Sequence, residues 1–499
     1  MRRVRNAATA SALALIAMLA IAAPSTAALN DPLDPRQEYD GTEHLRYEFG
    51  PIEVRPGQNS IDFAETKLKP QVAGYMTRFK PELIYADSRK VPRVDVVHLH
   101  HGVWIVNEQP LIAAGEEKTI LSTPRGYGIP HDPKDQWIVN TMVHNLTPTA
   151  TKVYIVYEVD FVPLAAPGAA EITPAKIQWL DVAGVDAYPV FDVKRGSGSG
   201  GRYTFPDQAK GAERRKIGQA ATWRPGRPIT LLGTAGHVHP GGLWTELAGV
   251  RGEVRKPLFR SEAHYWEPAG PVSWDMAMTA TAPDWKVAVS AGDELRVSAT
   301  YETRRASWYE SMGIMPVLYT EGHVAGARDP FRETIETRGR ITHGRLPENS
   351  NKGGGFVGLP DSRSLSDGAA GGTVRIGGFA YRNGDLRLTG RAGRPPVIRA
   401  GQALTFDNAA DNRLAIMHTI TGCKSPCNRS TGVAYPLADG ATFDSGNLGT
   451  GPKFATAASG RLRWSTPKNL KPGTYSYFCR VHPFMRGAFR VKASSKRDR

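Results

Sequence analysis

Across its 499 residues the chain has only three cysteines, Cys423, Cys427 and Cys479, and none lies between residues 29 and 340. Nothing in that long stretch can therefore be held by a disulfide. Beyond the N-terminus no apolar run approaches the roughly 20 residues that a bilayer-spanning helix needs, so no transmembrane segment is expected in the mature chain. Helical periodicity is almost absent as well. No Gly-x-Ser-x-Gly stands between a strand and a helix, which removes the common serine-hydrolase reading. The formal net charge is +15, yet no nucleic-acid-binding motif accompanies it, and no nucleic acid is expected as a partner. A basic chain suits an acidic redox partner or an anionic cell surface, and equally well plain solubility.

What is present begins with the layout of a secretory leader over residues 1–28. Arg2, Arg3 and Arg5 precede an apolar run at 13–23, and Ser25-Thr26-Ala27 or Thr26-Ala27-Ala28 offers a small-residue cleavage site. Its loss takes the charge from +15 to +12. The expected location is extracytoplasmic, periplasmic or extracellular, reached by general or twin-arginine export. An odd cysteine count in an oxidising compartment is resolved most simply by a local Cys423–Cys427 disulfide, with Cys479 kept as a metal-bound thiolate.

Val/Ile/Tyr/Thr-rich runs, such as 152–160 and 294–301, recur between Gly, Pro, Asn and Asp. Strands spaced in this way indicate β-sandwiches. The expectation is an all-β chain with a first sandwich at 29–165 and a second at 166–342. A flexible Gly/Ser/Asn/Pro-rich linker at 343–372 would then lead to a third sandwich at 373–499.

The strongest motif is Cys479-Arg-Val-His482-Pro-Phe-Met485-Arg-Gly487. A strand delivers Cys479 to its end, and a short turn returns His482 and Met485 toward the same point. Thiolate, imidazole and a weak thioether are ligands of a trigonal blue-copper centre, which needs a second imidazole. His418, in the strand-like run 414–421, can supply it. The ring edge of His482, on a loop, is the expected electron port. This segment resembles the cupredoxins, amicyanin-like members in particular. The resemblance implies a Greek-key β-sandwich holding type 1 copper on His418, Cys479, His482 and Met485, and carrying single electrons. Where many relatives have Asn after the first histidine, this chain has Thr419.

Histidines also cluster upstream, in His98-Leu-His100-His101, at His144, and in His237-Val-His239. Residues i and i+2 of a strand share a face, so His237 and His239 could chelate one metal. Met312 and Met315 follow in a Tyr/Leu-rich run. The order of a His-His pair, a single His, a His-x-His pair and then a Met resembles the copper type II monooxygenases, the peptidylglycine and dopamine hydroxylase family. The resemblance implies two consecutive jelly-roll sandwiches and two mononuclear coppers. One would supply electrons from His100, His101 and His144, with His98 a competitor for His100. The other would activate O2 on His237, His239 and Met312, with Met315 the alternative thioether. Amidating members carry an Arg and a Tyr that hold the peptide carboxylate, where this chain has Ala235 and Pro316. A peptidylglycine substrate is disfavoured.

The expected protein is an exported copper redox protein. Its blue-copper domain is tethered to a two-copper module that hydroxylates C–H bonds of a small-molecule substrate with O2. A redox partner protein or a small reductant would complete the circuit. The rivals are a non-catalytic electron carrier and a copper storage or delivery protein. A trinuclear multicopper oxidase is disfavoured because His98/His100 and His237/His239 are the only His-x-His pairs. Glu310 and Asp275 are expected to be solvated surface carboxylates.

Overall fold

The computed structural model describes residues 36–344, 360–386, 393–423, 442–450 and 461–494, apart from 95, 116, 148, 185–188, 267–275, 305–306 and 483. The expected leader, Asp275 and Cys427 lie outside the described residues. The fold is all-β: among those residues the one α-helix is the four-residue Ala409–Asn412.

Alternation of apolar side chains builds the first sandwich. Along Thr151–Pro163 the side chains of Val153, Ile155, Tyr157, Val159 and Phe161 are all fully buried, the period-2 signature of a strand facing a core. This strand pairs antiparallel with Glu43–Val54 on one side and Gly74–Tyr85 on the other. A second sheet runs Asn59–Thr66, Trp137–Asn145, Val97–Val106, Gln109–Gly115. Phe79, Trp104 and Tyr157 lie between the sheets, with ring centroids 4.7 to 5.3 Å apart. Each such aromatic pair adds about 0.5–1.5 kcal/mol beyond its area.

The chain crosses to the second sandwich between Thr173–Pro174, which pairs with Tyr127–His131, and Lys176–Gln178, which pairs with Val317–Glu321. A seven-stranded sheet centred on Gly242–Arg251 and Glu294–Glu302 packs over a four-stranded one containing Ile229–Thr234. Leu231, Leu247, Phe259, Val297, Tyr301 and Met315 fill the space between. Ile61 and Met142 of the first sandwich meet Trp179, Val190, Met312 and Ile314 of the second in an apolar seam.

The third sandwich joins Thr373–Arg375, Thr405–Asp407 and Arg463–Ser465 in one sheet. Val397–Arg399, Arg486–Lys492, Gly473–Phe478 and Thr421–Cys423 form the other. Residues 360–372, expected as tether, lie along this sandwich instead. Ser362 is fully buried with its hydroxyl 2.8 Å from that of Ser476, and Asp367 pairs with Arg490 and Lys492. The composition looks flexible, but two cations on one strand recruit the single carboxylate beside them.

Candidate metal centres

At the end of Gly473–Phe478 the backbone turns sharply. The Cys479 N–H donates to the Met485 carbonyl at 3.2 Å and the Met485 N–H to the His482 carbonyl at 2.8 Å, closing the Cys-x-x-His-x-x-Met loop on itself. His418 arrives from a single bridge to Leu448 rather than from the continuous strand expected over 414–421, where Ala415 adopts φ +58. Both imidazoles present Nδ1 to the thiol, each 3.7 Å from the Cys479 sulfur, and the two Nδ1 atoms are 3.1 Å apart. Among the described residues this is the one trio of His, Cys or carboxylate groups with ligand atoms all within 4.8 Å of one another. Met485 is buried in the same core. A soft thiolate, two imidazoles and a thioether fit copper.

In the metal-free chain the surroundings favour the charged forms of these groups, a thiolate beside an imidazolium that gives up its proton when a metal takes Nδ1. Burial alone would raise the Cys479 thiol, but His418 and His482 hold it well below its usual value, favouring the thiolate. Burial would lower His418, yet Asp411, 3.0 Å from Nε2, together with the Cys479 thiol holds it up to about 9. Asp411 itself is pulled down to about 2. Its burial is outweighed by His418 and by the Gly378 and Phe379 N–H donors at 2.7 and 3.1 Å. Such a carboxylate fixes ring orientation and leaves Nδ1 for the metal. Thr419 takes over support of the Cys loop: its N–H points at the Cys479 sulfur at 3.3 Å, and its hydroxyl accepts the Arg480 N–H at 2.9 Å. Cys423 is disulfide-bonded and Cys479 is free.

All six upstream histidines of the motif gather where the two N-terminal sandwiches meet. The pairing of Val97–Val106 with Trp137–Asn145 shifts register between Leu99 and His101, and all three histidines of this motif are buried. His98 and His100 flank His144, at ring separations of 5.2 and 6.2 Å, and His100 lies 4.7 Å from His239 across the seam. His101 turns away to Asn140 Oδ1 at 3.1 Å. The group nearest His144 is thus His98 and His100, and His101 faces His237. The His98 Nδ1 is committed to the Val94 carbonyl at 2.8 Å, which aims Nε2 the opposite way. Burial lowers both His98 and His101 to about 4, and drives His100, His144 and His239 well below their ordinary value. All five are kept neutral, the form that binds metal.

His237 and His239 leave the end of Ile229–Thr234, where His237 pairs with Ile314 in an isolated antiparallel bridge. Two residues further in that register, Met312 stands opposite His239. Tyr301 fastens the pair, its hydroxyl accepting the N–H groups of His239 and Met312, both at 3.0 Å, and donating to the Met312 carbonyl at 2.7 Å. Met315 is fully buried in the second core instead. Two partners were not visible in the sequence. Buried Glu117 meets His237 Nδ1 at 3.0 Å, and its acidity is a contest between burial, which weakens it, and His237, which prevails and strengthens it. Glu310 is buried, not a solvated surface carboxylate: it holds φ +58, and its carbonyl accepts from His239 Nδ1. The strained backbone turns that carbonyl inward, a device no residue pattern announces.

Beside His101, Glu117, His237 and Met312 lies a cavity of about 490 Å³ between the two sandwiches. Its walls are mostly apolar, including Ile112, Trp179, Leu232 and Ile314, and both Ala235 and Pro316 contribute to them.

No protein-family model and no curated protein matches the chain. Solved structures of amicyanin are similar to part of it. A Cu(I) form of one amicyanin variant and a reduced variant at pH 4 are each 21% identical, covering 27% of this chain and 91% of theirs, with TM-scores of 0.15 and 0.16. A further Cu(I) variant is 22% identical over the same share of this chain and 90% of its own, with a TM-score of 0.15. With scores this low the likeness carries no argument, and the reading of the site rests on its donor atoms.

Proposed function

We propose that this chain is an exported copper redox protein. In this reading His418, Cys479, His482 and Met485 hold a single-electron copper, and the two N-terminal sandwiches form an oxygen-using module. Copper, when bound, would supply electron storage at the thiolate site and O2 activation beside His237, His239 and Met312. The chain's own residues do the rest. Asp411 and Thr419 orient the thiolate site, Tyr301 and the Glu310 carbonyl orient His239 and Met312, and Glu117 holds His237. The observation that carries the oxygenase reading is the cavity bordered by His237 and Met312, because an electron carrier has no use for such a space. Its size suits a small molecule. The positions that would grip a peptide carboxylate are Ala235 and Pro316 in its wall, which favours a neutral, largely apolar substrate.

A non-catalytic electron carrier is favoured by one observation: among the described residues only the His418–Cys479–His482 trio is already drawn to ligand distance. The experiment is to load residues 29–499 with copper, count the metal and record the paramagnetic resonance spectrum. One thiolate-type copper plus further ordinary type 2 copper supports the proposal, and oxygen uptake lost in His239→Ala would locate the chemistry. A single blue copper, with oxygen uptake absent, leaves the carrier.

A further inference from the structure

We infer that the imidazole edge of the thiolate site is sealed by this chain's own N-terminal module, so that His482 exchanges electrons with that module and not with an external protein. The inference rests on the reading that the Cys479 site holds copper. His482 sits on a loop, where an exposed ring edge was expected, but it is only 1% exposed. Its Nε2, the nitrogen turned away from the thiol, lies 2.9 Å from the Gly57 carbonyl of the first sandwich. Gly57 has φ +61, and a Cβ there would come within 2.1 Å of the Phe379 ring, so this approach needs glycine on both counts. The Phe379 ring is in turn 5.0 Å from that of His482.

The flanks of the loop are held as well. Arg480 hydrogen-bonds the Ser307 carbonyl of the second sandwich and lies 5.9 Å over the Trp308 ring. His144, whose ring is 6.2 Å from that of His482, hydrogen-bonds the Val481 backbone. From the thiolate the path to the upstream histidines is thus two residues of backbone and one hydrogen bond. With copper held both at the Cys479 site and among the upstream histidines, an electron crossing this seam would oxidise one and reduce the other, with no proton required. Electrons exchanged with the outside must enter or leave at another face.

The test is carbethoxylation of the copper-loaded full chain, read residue by residue by mass spectrometry. His482 should react at least about tenfold more slowly than exposed His264, since a buried imidazole reacts only through local opening. Phe379→Ala, which removes the ring, and Gly57→Leu, which drives it off, should each expose His482 while the blue absorption remains. Wild-type His482 reacting as fast as His264 overturns the inference, and so does continued protection in both variants. Absence of the blue absorption in the wild type would instead count against the copper reading itself.

Discussion

At the scale of single residues, the thiolate site depends on groups one step removed from its ligands. Asp411 is the clearest. It takes the Nε2 of His418 and two backbone N–H groups, so its charge sets both the tilt of that ring and the turn carrying Phe379. Asp411→Asn preserves shape and removes charge. Copper affinity should fall by about 10- to 100-fold, the usual consequence of losing an outer carboxylate, while the blue absorption persists. Competition against a Cu(I) chelator measures this. Unchanged affinity would reduce Asp411 to a support for the Gly378–Phe379 turn. Of this site, the His418–Cys479–His482 trio was legible because its spacing is a chemical signature. Asp411 was not, because an aspartate seven residues before a histidine has no pattern of its own.

At the scale of elements, strands rich in Val, Ile, Tyr and Thr, such as Thr151–Pro163 and Glu294–Glu302, were readable because nearly continuous burial leaves its mark on composition. Short bridged segments were harder. His418 and His237 each stand at an isolated bridge, where side-chain direction is fixed by a distant partner, Leu448 or Ile314. The histidine motif at 98–101 shows the same limit. A regular strand would place His98 and His100 on one face and His101 on the other. The register shifts between Leu99 and His101, all three are buried, and His98 lies beside His144. His98→Ala should therefore cost the N-terminal module a copper, whereas His101→Ala should leave that copper in place, as judged by metal content per chain. The reverse result would mean that copper redraws the strand around His100 and His101.

At the scale of the whole molecule, the distinctive feature is a set of neutral imidazoles sunk where three sandwiches meet. Their burial gives the metal-free chain a definite acid response. His98 and His101 titrate near 4 in the fold, and His100, His144 and His239 also lie well below their ordinary value. In the unfolded chain all five return to about 6.5. Between these limits the unfolded state binds more protons, so stability must fall as pH falls from about 6.5 toward 4. Each histidine contributes at most ~1.4 kcal/mol per pH unit within that window. The melting temperature of the metal-free chain should accordingly drop as the pH falls below ~6.5. His98→Gln should make the drop shallower, because one proton fewer is taken up on unfolding. A melting temperature indifferent to pH across that range would show that the imidazoles reach solvent. The closed seam between the sandwiches, and with it the sealed edge of His482, would then not describe the chain in solution.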